Sequence, residues 1–287
     1  MSDDVITINL HRPNEISTRG QLPAAMRSDT VAAHYYNTMY LSGLGDNCDE
    51  IWKYHIISGW VKCASLVQGR HRHSAAFIGE VLYICGGSSN YLEHVLDSVE
   101  AYNEVTDTCN KVGKLVHCVK DSGNCAPFRN SIYIFGGKDI HDKDVSHVQV
   151  YDTKQNTCTL LTKPMPRPYF ALRAVCWETS VILVGQHTCF VFDFETETWR
   201  EREQFKTGVR HFGLVLEMEN ERVFVIGGVD SDTDKAETKP WKLRDDIRYV
   251  PLRNILDDKP IEWSIHGKLP QPVLVHTCGE MWMPPKA

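Results

Sequence analysis

Leu82-Tyr83-Ile84-Cys85-Gly86-Gly87 is a short apolar run closed by two glycines, and its recurrence decides the fold. The unit returns as Ile132-Tyr133-Ile134-Phe135-Gly136-Gly137 and as Val223-Phe224-Val225-Ile226-Gly227-Gly228. It returns with a single glycine as Met39-Tyr40-Leu41-Ser42-Gly43 and Val181-Ile182-Leu183-Val184-Gly185. The first glycines fall at 43, 86, 136, 185 and 227, a repeat of about 40 to 50 residues. Three residues before each glycine stands a large aromatic or branched side chain: Tyr40, Tyr83, Tyr133, Ile182 and Phe224.

Downstream, a second strand ends on an aromatic residue, followed in most units by a polar one. These are Trp52-Lys53-Tyr54, Glu100-Ala101-Tyr102-Asn103, Gln149-Val150-Tyr151-Asp152, Val191-Phe192-Asp193 and Ile247-Arg248-Tyr249. A bulky position follows at Trp60, Cys109, Cys158, Trp199 and Trp263. No helical period persists, and each unit reads as four short strands separated by turn signals. A four-stranded unit of this length is a propeller blade. Its glycines belong where strands converge on a central channel and a Cβ would clash. Its aromatics are plates that fill the wedge between blades, a structural rather than a ligand role.

Five units are expected at about 24–67, 68–116, 117–163, 164–206 and 207–270. A sixth blade is expected from both ends of the chain. Val273-Leu274-Val275-His276 begins it, and Val5-Ile6-Thr7-Ile8-Asn9 and Glu15-Ile16-Ser17 end it, so that no sheet edge stays open. The reading is thus one all-β domain over 1–287, a six-bladed propeller of four-stranded antiparallel blades. The fifth unit carries a charged insertion around 230–242, expected to be a long loop.

With 287 residues, 10% aromatic and 24% charged, the chain has ample material for a core. Net charge is −6 and no long run of Lys or Arg occurs, which disfavours nucleic acid and membrane surfaces as partners. The apolar runs are strand-sized, and the acidic N-terminus has no apolar leader region. Ten cysteines without a CxxC pair fit a reducing, cytoplasmic location. A GxSxG elbow, a HExxH and a phosphate-binding loop are all missing. His71-Arg72-His73 places two imidazoles two residues apart on a strand, but the sequence fixes no third ligand beside them. Neither a metal nor a cofactor is expected, and no catalytic residues are assigned.

The repeat resembles the kelch motif, whose marks are a diglycine, a Tyr-Asp pair and a Trp six or seven residues on. Three of the five diglycines are complete, and Cys109 and Cys158 stand in place of Trp. Among kelch proteins the chain looks most like the C-terminal half of BTB-kelch adaptors. The resemblance implies a non-enzymatic substrate-recognition module that serves a cullin-RING ubiquitin ligase. The BTB domain that contacts the cullin would lie outside this chain, which is expected to be an excised domain. A cytoskeletal, actin-associated or scaffolding kelch domain is the rival reading, and a propeller enzyme a more remote one.

Kelch proteins of this kind bind partners at the end of the ring that carries the inter-blade turns and the loops after the doublets. Counting back 16 residues from each first glycine gives Arg27, Arg70, Lys120, Tyr169 and His211, with Arg210 beside the last and Arg72 two beyond Arg70. Converging cations would make an electropositive bowl for an acidic peptide or protein segment. A solvated rim of Arg and Lys is the plain alternative. The loops after the doublets add Lys138 and Tyr91, and the aromatic candidates for hot spots are Tyr91, Tyr169 and Phe170.

Overall fold

The computed structural model describes residues 4–10, 12, 15–22, 30–89, 94–122, 125–202, 205–230 and 242–272. Five four-stranded antiparallel blades are built from them, not six. Blade 1 comprises Val31–Tyr35, Thr38–Leu44, Glu50–His55 and Gly59–Lys62. Blade 2 comprises Ser74–Ile78, Val81–Cys85, Ser98–Asn103 and Thr108–Lys114. Blade 3 comprises Cys125–Phe128, Ser131–Phe135, Val148–Asp152 and Thr157–Leu160. Blade 4 comprises Arg173–Trp177, Ser180–Val184, Cys189–Asp193 and Thr198–Glu201. Blade 5 comprises Gly213–Glu217, Arg222–Ile226, Asp246–Pro251 and Ser264–Lys268, with a short helix, Leu252–Leu256, before its last strand.

The first strands of consecutive blades lie against one another from blade 1 to blade 5, so they line the axis and the fourth strands face outward. Between blades, the expected plates meet: Tyr40 with Tyr102 at 6.2 Å, Tyr83 with Tyr151 at 6.2 Å and Phe135 with Phe192 at 6.1 Å between ring centroids. Tyr40, Tyr102 and Tyr151 are buried. Each buried ring removes a large apolar area from water, and neighbouring rings add a further contribution from their geometry.

The polar residue after the aromatic has its own task. Asn103, Asp152 and Asp193 each accept hydrogen bonds on a side-chain oxygen from the backbone N–H groups two and three residues on, folding the turn into the fourth strand. The Tyr102 hydroxyl donates to Asp107 at 3.0 Å, and the same carboxylate oxygen accepts from the Ala64 N–H of the preceding connection at 2.9 Å. The Tyr-polar pair therefore builds a turn and ties it to the neighbouring blade.

The doublets serve close approach. Gly87, Gly137 and Gly228 have φ of +94°, +97° and +100°, and a Cβ on each would lie 2.7 Å from the carbonyl oxygen of His71, Lys120 and Arg210 respectively. Only glycine combines that backbone angle with that contact.

The N-terminal segment forms an antiparallel pair, Asp4–Ile8 with Ile16–Gln21. Ile8, Leu10 and Ile16 pack on the buried cluster of blade 5, and Arg222 donates to the Leu10 carbonyl at 3.1 Å. The strands expected at 273–287, and most of the insertion at 231–241, lie outside the described residues.

Candidate partner-binding face

Between the fourth strand of one blade and the first of the next, the chain crosses the same end of the ring as the loops after the doublets. Here it makes a three-residue step that repeats by blade. Arg70, Val119, Tyr169 and Val209 hold the first position, since the carbonyls of Arg70, Val119 and Tyr169 each lie over the first glycine of the preceding blade. His71, Lys120, Phe170 and Arg210 hold the second. Arg72, Asp121, Ala171 and His211 hold the third, all at left-handed φ between 50° and 58°. The third position turns the chain into the inner strand.

This register corrects the electropositive bowl. Arg70 stands at the inward position and is fully buried. Its guanidinium pairs with buried Glu100 and donates to the carbonyls of Gly86 and Ser98, both at 3.0 Å. Glu100 in turn accepts from the Val67 and Gln68 N–H groups at 2.7 and 3.1 Å. The arginine is a strut inside blade 2 and faces no ligand. Every hydrogen-bonding valence it uses is internal, which is what makes a buried charge tolerable.

Three of the other cations carry acids of their own. Arg72 pairs across the blade boundary with Asp121, Nε to Oδ1 at 2.6 Å. Lys120 Nζ lies 2.9 Å from Asp142 Oδ1, and Lys138 Nζ lies 3.6 Å from Asp142 and 3.4 Å from Asp144. Lys138 also sits 4.5 Å above the Phe170 ring. Arg210 pairs in a two-residue ribbon with Val229, and His211 is exposed beside it. Tyr169 is half-buried, its carbonyl accepting from Gly137 N–H at 2.9 Å. Arg27 and Tyr91 lie outside the described residues. The face is thus a mosaic of both charge signs. It also carries exposed Val67, Val116, Ile140, Phe170 and Leu243 on its loops.

Sequence reasoning missed Asp121, Asp142 and Asp144 as the acids that set this electrostatics, and it misjudged His71. The left-handed φ at Arg72 breaks the strand between His71 and His73. His73 is buried and shares a 2.8 Å hydrogen bond with Ser42, while His71 belongs to the second position with Lys120 and Arg210. Burial pushes the His73 imidazole well below its usual range. Among the described residues, no group of three or more His, Cys, Asp or Glu side chains is placed to hold a metal.

A five-blade radial array whose second strands end in glycine, three of them in a diglycine, and whose turns in most blades carry an aromatic-polar pair has the pattern of the kelch repeat, and comparison with known proteins points to the same class. A family model for the kelch motif matches residues 69–115, the stretch that spans blade 2. Kelch-like protein 35 of Mus musculus is 28% identical over 220 residues, covering 76% of this chain and 37% of that protein. Kelch-like protein 25 of Xenopus tropicalis is 25% identical over 245 residues, 79% and 41% of the two chains. Alpha-scruin of Limulus polyphemus is 23% identical over 232 residues, 75% of this chain and 24% of that one. The solved structure of YjhT superposes with a TM-score of 0.70 at 16% identity, covering 90% of this chain and 89% of that one, which shows the shared fold. The chain is a kelch-repeat β-propeller resembling the kelch domains of BTB-kelch proteins. It spans about two fifths of the length of the kelch-like relatives named above.

Proposed function

We propose that this propeller is the substrate-recognition module of a BTB-kelch adaptor for a cullin-RING ubiquitin ligase, and that it takes an acidic protein segment on the face just described. The observation that carries the reading is the second inner position, where Lys120, Phe170 and Arg210 project from successive blades among exposed apolar loop residues. Aromatic and Arg anchors among mixed charges are what partner-binding centres are made of. The module selects its target and catalyses nothing. Nine described cysteines are free thiols, which supports a reducing cytoplasmic setting. Among the described residues no helix is long and apolar enough to cross a membrane.

Affinity capture from cell extract with mass spectrometry, repeated with an acidic competitor peptide, tests the recognition reading. Partners that the peptide displaces support it. A protein that captures filamentous actin, undisturbed by the peptide and co-sedimenting with filaments, supports the scaffold instead.

A further inference from the structure

The loop at 138–144 of blade 3 supplies an anion to its own binding face. Asp142 stands at φ 61° with its side chain 62% exposed, whereas the lysines on either side, Lys120 and Lys138, are 11% and 16% exposed. Lys120 and Lys138 exchange two backbone hydrogen bonds, 3.0 and 2.7 Å, so the spacing of their stems is set by paired backbone. The acid is held differently. It comes in on a turn folded by Asp139, whose Oδ1 accepts from the N–H groups of His141 and Lys143 at 2.8 and 2.9 Å. Two cations are thus fixed by the sheet end, and their anion is carried on an exposed turn. The Lys120, Lys138 and Arg72 charges hold the Asp142 carboxyl below the usual carboxylate range, so it is ionised and competes as an anion at neutral pH.

We propose that Asp142 is a built-in occupant of a cationic subsite formed by Lys120 and Lys138 beside Phe170, and that a carboxylate side chain of an acidic partner segment displaces it. The proposal rests on the acidic-segment reading of this face. Displacement requires the turn at 139–143 to swing outward while the paired backbone of Lys120 and Lys138 stays in place. While Asp142 fills the subsite, the apparent affinity is reduced by the fraction of molecules in which the subsite is open. The device is self-competition: it rejects single weak anions and admits a segment that offers several contacts.

Fluorescence anisotropy with a fluorescein-labelled hexaglutamate peptide tests it, on the intact chain, Asp142→Asn, and Asp142→Asn combined with Lys120→Gln. Asn keeps the side-chain shape and accepts left-handed backbone, so the turn is preserved. Thermal melts check folding, and Lys138→Gln replaces Lys120→Gln if the latter unfolds. Asp142→Asn is expected to bind about threefold to tenfold more tightly, as for loss of a pair of weakly held ions. The added lysine substitution is expected to return affinity to that of the intact chain or below. Equal affinity of the intact chain and Asp142→Asn, with binding still lost on lysine substitution, overturns the occupant and leaves the acidic-segment reading standing. Binding indifferent to both lysines overturns the subsite. No binding of hexaglutamate by either protein at low salt overturns both readings.

Discussion

Arg72 of blade 2 and Asp121 of blade 3 occupy equivalent points of their blades and are bound to each other across the boundary. Both have left-handed backbone, φ 58° and 52°, and the Asp121 N–H donates to the Arg72 carbonyl at 2.9 Å beneath the side-chain pair. Ala171 N–H repeats the step on the Asp121 carbonyl at 2.8 Å. The inner turns of blades 2, 3 and 4 are thus linked in series by hydrogen bonds, with the ion pair laid over one link. The side chains are 28% and 14% exposed, so solvent screens part of their attraction. Asp121→Asn keeps the backbone and is expected to cost about 1 kcal/mol, and Arg72→Glu to cost more by facing like charges. Urea midpoints unchanged in both variants would show that the pair does not hold the blades.

Arg70 is expected to respond as a core residue. Arg70→Met leaves Glu100 charged and enclosed, and a loss of about 3 to 5 kcal/mol is expected. Adding Glu100→Gln, which keeps an acceptor for the Val67 and Gln68 N–H groups, recovers part of that loss. Denaturant unfolding reads both. A folded Arg70→Met protein of unchanged stability that fails only in partner capture contradicts the assignment.

Glycine substitutions separate backbone strain from contact. Gly79 has φ +57° with nothing within 4 Å of the point a Cβ would occupy, so Gly79→Ala carries only the left-handed penalty, about 1 kcal/mol. Gly87→Ala adds a collision with the His71 carbonyl and with His73 Cβ, at 2.7 and 2.8 Å, and is expected to cost at least about 2 kcal/mol more. Similar melting temperatures for the two variants contradict the role given to the doublet.

Acid is expected to weaken the fold through half-buried His34 and buried His73. Burial brings His34 down to about 4 and lowers His73 as well. In the unfolded chain both titrate near about 6.5. Below that pH the unfolded chain takes up protons that the folded chain refuses, so stability present above about 6.5 is lost as pH falls towards 4. Urea midpoints measured from pH 7.5 to 4.5 should fall, and His34→Gln should flatten the slope. An unaltered slope assigns the effect to other groups.

The blades were legible because their determinants are local. A strand ending in Gly86-Gly87 or a Tyr102-Asn103 turn is recognisable within six residues, although the carbonyl that the doublet makes room for, that of His71 against Gly87, lies farther away. The face was legible only as a neighbourhood. Gly86 lies 16 residues after Arg70, but Gly136 lies 17 after Val119 and Gly227 lies 18 after Val209. A fixed offset therefore slides by one, and one residue exchanges an inward for an outward side chain. That slip offered Arg70, a buried strut, in place of His71. The acids opposite Arg72 and Lys120 come from another blade or a later loop, 49 residues on for Asp121, and no single repeat reveals them.

Paired charge reversals on opposite ends of the ring give the most direct test of where the partner binds. Lys120→Glu with Arg210→Glu alters the second inner position, and Ile57→Glu with Val105→Glu alters exposed turns at the opposite end. With both proteins folded, capture from the same extract should lose the partners of the intact chain in the first variant and keep them in the second. Retention by the first and loss by the second would place the binding surface at the wrong end of the propeller and contradict the account.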